Sequence, residues 1–390
     1  MRDLVDIGMG RTARRTFELD DISIVPSRRT RSSKDVSTDW QIDAYRFTSP
    51  ILSHPTDALV SPETAIELGK LGALGVINGE GLWARHRDVE AKIAELIKVA
   101  TDDPDPQASI RLLQQLHSAP LDTGLLREAV TLVREAGVTT AVRVSPQHAP
   151  ELTPALLAAG VEILVVHGTI ISAEHVTQDD SDGGSREPLN LKTFIADLDI
   201  PVIAGGVHDH RTALHLMRTG AAGVIVGYGS AAGATTTGEV LGIGVPMATA
   251  IADAAAARRE YLDETGGRYV HVIADGDIHT SGDLAKTIAC GADAAVLGTP
   301  LAAAAESPGL GWYWPSAAAH PDTPRGALLQ VAVDDGMSGE DRPTLARVLN
   351  GPSQDPFGEV NLVGALRRAM AKAGYSDLKE FQKVGLSLHV

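Results

Sequence analysis

The chain has 390 residues, a formal net charge of -16, 44% hydrophobic and only 4% aromatic residues. That length buries a large core as one α/β barrel or as two domains, while the acidity argues against broad binding to nucleic acid or an anionic membrane and leaves room for one local phosphate site. A single cysteine, Cys290, excludes an intramolecular disulfide and a Cys-rich zinc site and suits a reducing compartment.

Residues Met1 to Asp6 lack an apolar leader, and no apolar run is long enough to span a bilayer, so a cytoplasmic protein is expected. Up to about residue 48 short alternating stretches, 16–20 and 22–26, read as strands preceding the main fold. Residues 49–53 read as a first buried strand, followed by a helix that opens with Ser61 as N-cap and Pro62 at its first position. Residues 74–78 read as a second strand. The charged stretch 84–118, broken by Asp102-Asp103-Pro104-Asp105-Pro106, reads as an enlarged helical connection.

From there the pattern is regular. Strands are predicted at 140–144, 162–166, 201–204, 223–226, 270–274 and 294–298, with helices at 125–135, 155–159, 191–198 and 211–219 between them. Short continuous apolar runs are expected of parallel strands buried on both faces, and eight of them predict a single (β/α)8 TIM barrel occupying 48–300. After it comes a Pro-, Gly- and Asp-rich segment, 301–358, read as a lid or flap, and closing helices in 359–390. The whole chain, 1–390, is read as one domain.

The stretch 270–300 reads as strand, loop, helix, strand and loop. In such a barrel the loops after the last two strands commonly build a phosphate site. Asp275 would end the seventh strand and accept two hydrogen bonds from a ribose diol, while Gly276, Gly298 and Thr299 let backbone amides approach a phosphate. An ordinary αβ unit with tight glycine turns gives the same local pattern.

Several segments together resemble the IMP dehydrogenase and GMP reductase superfamily. Phe17-Glu18-Leu19-Asp20-Asp21-Ile22-Ser23-Ile24-Val25-Pro26 is similar to its entry motif, and Ser53-His54-Pro55-Thr56-Asp57 stands where the family has Ser-Ala-Ala-Met-Asp near base and ribose. Val202 to Val207, Gly242-Ile243-Gly244-Val245-Pro246, and Ala274-Asp275-Gly276 with Gly282-Asp283-Leu284-Ala285-Lys286 match further elements. The chain is most similar to the IMP-dehydrogenase-related subgroup that lacks the paired CBS modules, whose place after the second strand is taken by 84–118. The resemblance implies a purine nucleoside monophosphate (IMP, XMP or GMP) as ligand, held by Ser53, Gly229, Ser230, Asp275, Gly276, Asp277, Gly298 and Thr299. It further implies NAD or NADP as cofactor and a homotetramer, with no nucleic-acid partner.

The family chemistry uses a cysteine after the sixth strand that attacks carbon two of the purine, because a thiolate is nucleophilic at neutral pH and can be expelled again. Counted back from residues 242–246, that position is Thr235, in a loop of 227–238 without a thiol. Thr235 is read either as a base-activated substitute nucleophile or as part of a loop that holds ligand without covalent chemistry. Cys290 falls in the last turn of a helix, outside the barrel, and reads as structural. Asp277 replaces a glycine that in the family gives its amide to phosphate. His167 replaces an aspartate that contacts the dinucleotide ribose, and Gly206 stands where dehydrogenases carry an asparagine. His54, His167, His208, His210 and His279 fall at or near strand C-terminal ends, where each is either solvated or an acid–base group. Tyr313 and Arg325 lie in the presumed lid, where Trp312 and Trp314 either stack on a purine or pack the lid down. There is no HExxH, Cys pair or EF-hand spacing, so no metal is expected.

Three functions follow as expectations: an oxidoreductase converting IMP to XMP with NAD, a GMP reductase-type enzyme, or a purine-nucleotide-binding regulatory protein without turnover.

Overall fold

A computed structural model describes residues 4–27, 29–168, 171, 174–175, 189–229, 240–320, 326–331 and 342–389. Eight parallel strands form one sheet: β1 (Ile51–Ser53), β2 (Val76–Asn78), β3 (Ala141–Val144), β4 (Ile163–His167), β5 (Val202–Val207), β6 (Gly223–Gly227), β7 (His271–Asp275) and β8 (Ala294–Leu297). From β2 to β8 each strand pairs with the next, β8 pairs with β1, and a parallel bridge between Leu52 and Leu74 joins β1 to the approach of β2. The expected (β/α)8 barrel is therefore the fold. Its strands are buried nearly throughout, which explains why they read as unbroken apolar runs.

Helix starts follow their local chemistry. Ser61 accepts the Thr64 amide and Pro62 opens Pro62–Lys70. Asp105 caps Pro106–His117 after the break that separates it from Val89–Asp102, so the 84–118 connection is a helical pair. The longest helix, Met247–Thr265, links β6 to β7. Its first amide donates to Glu18 Oε2 at 2.9 Å, so an N-terminal residue supplies a carboxylate where the helix dipole favours negative charge.

Before the barrel, Trp40–Ile42 and Tyr45–Phe47 form a hairpin whose Ile42 is fully buried against the N-terminal end of β6. Ile22–Ile24 pairs antiparallel with Leu386–Leu388, and Leu4–Gly8 pairs with Arg11–Arg14. After the barrel, Trp312–Tyr313 pairs with Leu329–Gln330, and helices Leu345–Asn350, Leu362–Lys372 and Leu378–Phe381 follow. Within the segment expected to be a lid, Tyr313 and Trp314 are each 1% exposed, so this part is packed into the body of the protein.

At the N-terminal face one buried carboxylate joins barrel to C-terminus. Asp293 accepts from Arg258 at 2.6 Å, Tyr269 Oη at 2.7 Å, the Val272 amide at 2.9 Å and Gln382 Nε2 at 3.1 Å. Among the described residues no helix is long and apolar enough to cross a membrane.

Candidate active site

The C-terminal ends of the strands place a polar cluster on a floor of aliphatic side chains. Asp275 ends β7 opposite Gly227 of β6, and its carbonyl accepts the Gly229 amide at 3.1 Å. Gly227 has φ +99, and a Cβ there would lie 2.0 Å from the Asp275 carbonyl oxygen, so only glycine lets β6 leave the sheet this close to Asp275.

The Asp275 carboxyl is 3% exposed and its Oδ2 lies 3.6 Å from His167 Nε2, at the end of β4. Burial, and secondarily the charge of Asp277, push its acid up to about 8. His54, just past β1, has its Nδ1 3.3 Å from Tyr313 Oη, and its ring meets that of His167 edge-on at 6.4 Å. Burial raises the Tyr313 phenol, which therefore keeps its proton. The phenol can donate to His54 Nδ1, which leaves the imidazole hydrogen on Nε2, the atom nearest Gly229. Burial and then the Arg143 charge lower His54 to about 4 and His167 well below its ordinary value. At neutral pH Asp275, His54 and His167 are thus predominantly uncharged, a poised arrangement for moving protons.

Behind them stands an ionised pair. Arg143, on β3, donates to the His167 carbonyl at 2.9 and 3.2 Å and to Glu80 Oε2 at 3.0 Å. Glu80 also accepts from the Ser145 amide and hydroxyl, and His148 Nδ1 lies 2.9 Å away. Desolvation would lift the Glu80 acid, but Arg143, His148 and Ser145 together bring it to about 2. The pair fixes the backbone that carries His167.

Just past β5 and β6, the rings of His208 and Tyr228 meet at a tilt of 50° with their centres 3.5 Å apart. Both His208 nitrogens and the Tyr228 hydroxyl are buried with no partner among the described residues. Burial lowers His208 to about 4.

At the other side, Asp277 Oδ1 lies 3.4 Å from His279 Nε2, and His279 Nδ1 lies 2.9 Å from Thr299 Oγ1. A Cβ on Gly276 would press on Met247 at 2.7 Å, and one on Gly298 would lie 3.3 Å from Tyr313 Oη, so packing already accounts for both glycines. Asp275, Gly229, Gly276, Asp277, Gly298 and Thr299 are therefore brought to one mouth. Ser53 lies beneath it, where its Oγ accepts the Val76 amide at 2.8 Å and ties β1 to β2. Thr235 and Ser230 lie outside the described residues, as does Arg325. Cys290 follows Ser281–Ala289, which runs from the β7 end back to the start of β8. It therefore sits at the opposite face, and burial pushes its thiol up to about 12. Among the described residues no group of three or more His, Cys, Asp or Glu is placed to hold a metal ion.

Sequence reasoning left Tyr313, Arg143 and the Asp57–His117 pair without a role. Tyr313 acts on His54 from 259 positions away, beyond any local spacing. Arg143 was visible as the one charge in the apolar run 140–144, a signal for a buried ion pair. Asp57 and His117, paired at 3.1 Å beneath the β1 loop, join segments with no sequence relation.

The fold and the strand-end constellation define a family. Residues 16–317 match the model of the IMP dehydrogenase / GMP reductase domain, and the chain belongs to that family. It is 74% identical over 385 residues to an uncharacterized oxidoreductase of Mycolicibacterium smegmatis, covering 99% of this chain and all of that one. The crystal structure of an IMP dehydrogenase/GMP reductase-like protein from Corynebacterium glutamicum matches with a TM-score of 0.91 at 56% identity, over 99% of this chain and 98% of that chain. An inosine-5'-monophosphate dehydrogenase of Rhizobium tropici is 34% identical over 240 residues, 58% of this chain and 44% of the relative.

Proposed function

We propose that the barrel mouth binds a purine nucleoside monophosphate and that the chain is an oxidoreductase of the IMP dehydrogenase type, acting on IMP with NAD. The observation that carries this is Asp275, a carboxyl buried at the end of β7, 3.6 Å from the neutral His167 ring and without a lysine or arginine ion pair among the described residues. Burying such a group is costly unless a ligand uses it; a ribose diol supplies two donors, and their hydrogen bonds favour the ionised carboxylate over the neutral acid of the empty site.

NAD or NADP fits the β5–β6 side, where His208 and Tyr228 offer buried, unpartnered polar atoms to a carboxamide or ribose. When bound, the nicotinamide supplies a hydride acceptor or donor. The chain's own part is to hold the nucleotide and to manage protons: His167, whose Nε2 has no hydrogen-bond partner among the described residues, is the base available to a water. GMP reductase-type activity would use the same binding groups. Binding without turnover is the second reading, favoured because the 227–238 loop contains no thiol and Cys290 faces the other end of the barrel.

Incubation of the protein with IMP and NAD, or with GMP and NADPH, followed by the absorbance of reduced nicotinamide, tests turnover. Calorimetric titration with each monophosphate tests binding. Turnover supports the oxidoreductase; binding alone supports the regulatory reading; failure of every purine monophosphate to bind overturns both. We also infer a single cytoplasmic domain assembled as a homotetramer, which light scattering of the purified protein checks.

A further inference from the structure

We propose that Asp277, His279 and Thr299 form a relay that turns the Thr299 hydroxyl into a donor for the phosphate of a nucleoside monophosphate when His279 is protonated. This rests on the nucleotide reading above and deepens it: the resemblance already places Asp277 and Thr299 at the ligand, and the relay adds His279 as the positioning residue whose protonation sets the direction of the Thr299 hydroxyl.

The imidazole bridges the other two groups: Asp277 Oδ1 lies 3.4 Å from His279 Nε2, and Thr299 Oγ1 lies 2.9 Å from His279 Nδ1. The ring's backbone is held by Asp283, whose Oδ2 accepts the His279 and Thr280 amides and the Thr280 hydroxyl at 3.3, 3.0 and 2.8 Å. Asp277 is half exposed at the lip, whereas Thr299 is buried beneath it.

Proton bookkeeping along this line gives two states. With His279 protonated, Nε2–H points to Asp277 and Nδ1–H donates to Thr299 Oγ1, so the Thr299 proton is free to turn to the mouth. With His279 neutral, the carboxylate keeps the one hydrogen on Nε2. Nδ1 is then bare and draws the Thr299 proton, which leaves hydroxyl lone pairs toward the ligand. Phosphate oxygens are acceptors at neutral pH, so they bind the first state and are refused by the second.

Asp277, which by its charge alone would repel a phosphate, thereby acquires a use. Its hydrogen bond is the largest influence raising the His279 imidazolium; burial opposes, and the charges of Asp277, Asp283 and Glu359 add to the rise. Asp283 is itself 3.5 Å from Lys286, and Asp275 beyond Asp277 is held neutral by burial.

The test is calorimetric titration with IMP and with inosine, from mildly acidic to mildly alkaline pH, on the wild-type protein, Asp277→Asn and Thr299→Val. Inosine affinity reads the ribose end and reports that the site remains folded; the IMP-to-inosine affinity ratio isolates the phosphate end. The phosphate's own titration is common to all three proteins. In the wild type the ratio falls as pH rises. In Asp277→Asn it is lower at neutral pH by roughly tenfold, and in Thr299→Val it loses the wild-type pH dependence that remains after the phosphate's titration is subtracted. A tighter IMP complex in Asp277→Asn means that Asp277 merely repels and overturns the relay. Ratios that coincide in all three proteins overturn it as well. Absence of IMP binding at every pH overturns the nucleotide reading and the relay with it, whereas IMP binding with coincident ratios overturns the relay alone.

Discussion

Replacing Asp275 with Asn should make the ligand-free protein more stable, by an amount that grows with pH. The folded chain raises this acid from 3.8 to about 8, chiefly by burial. Near pH 3 both folded and unfolded chains hold the proton, and the native burial is unopposed. As pH climbs, the unfolded chain releases its proton while the native site retains it, so stability is lost progressively until the folded group also ionises near pH 8. At about 1.4 kcal/mol per pH unit, the ceiling between about pH 5 and about pH 8 is roughly 4 kcal/mol, and relaxation of the mouth reduces it to about 2 kcal/mol. Asparagine keeps the shape and cannot ionise, so denaturant unfolding of both proteins at these two pH values isolates the carboxyl. A stability gap that widens by this order from the lower to the higher pH supports the buried, neutral Asp275. A gap independent of pH refutes it, because the carboxyl would then be solvated or paired. A group that destabilises the empty fold is a mark of a functional site.

Three other outcomes follow from the same geometry. His54, lowered to about 4, refuses a proton that the unfolded chain accepts below about pH 6.5; His54→Gln should therefore lose less stability than wild type as pH falls from about 6.5 to about 4, and equal acid losses in thermal unfolding would count against the buried neutral ring. Asp293→Ala strands the Arg258 guanidinium and frees Tyr269 and Gln382, so denaturant titration should show a loss of about 3–5 kcal/mol, and a loss below about 1 kcal/mol would mean that water replaces the network. Gly227→Ala puts a methyl into the Asp275 carbonyl; both stability and IMP affinity should drop, and a variant with wild-type affinity would show that β6 need not approach so closely.

The barrel was legible because its strands are short apolar runs buried on both faces. The predicted 162–166 is shifted by one residue from Ile163–His167, and 223–226 stops one residue short of Gly223–Gly227. The Ser61-Pro62 helix start also stood, since capping is local chemistry. Helix Met247–Thr265 was not singled out: its alanine-rich run is buried on more than one side, which blurs the one-sided apolar stripe that marks an amphipathic helix. At the site, Asp275 was readable from its place at a strand end before a glycine. The proton states around it were not. They depend on Tyr313 reaching His54 and on Arg143 reaching the His167 carbonyl, contacts between distant segments that no spacing encodes. The same holds for Asp277, whose charge alone reads as a liability and whose pairing with His279 appears only when the β7 and β8 loops meet.

The central claim is that a purine nucleoside monophosphate is held in the barrel mouth through Asp275. Calorimetric titration of IMP into the wild-type protein and into Asp275→Ala tests it most directly. The account predicts one saturable site in the wild type and loss of binding in the variant. Equal affinity in the two proteins, or no binding of any purine monophosphate to the wild type, contradicts it.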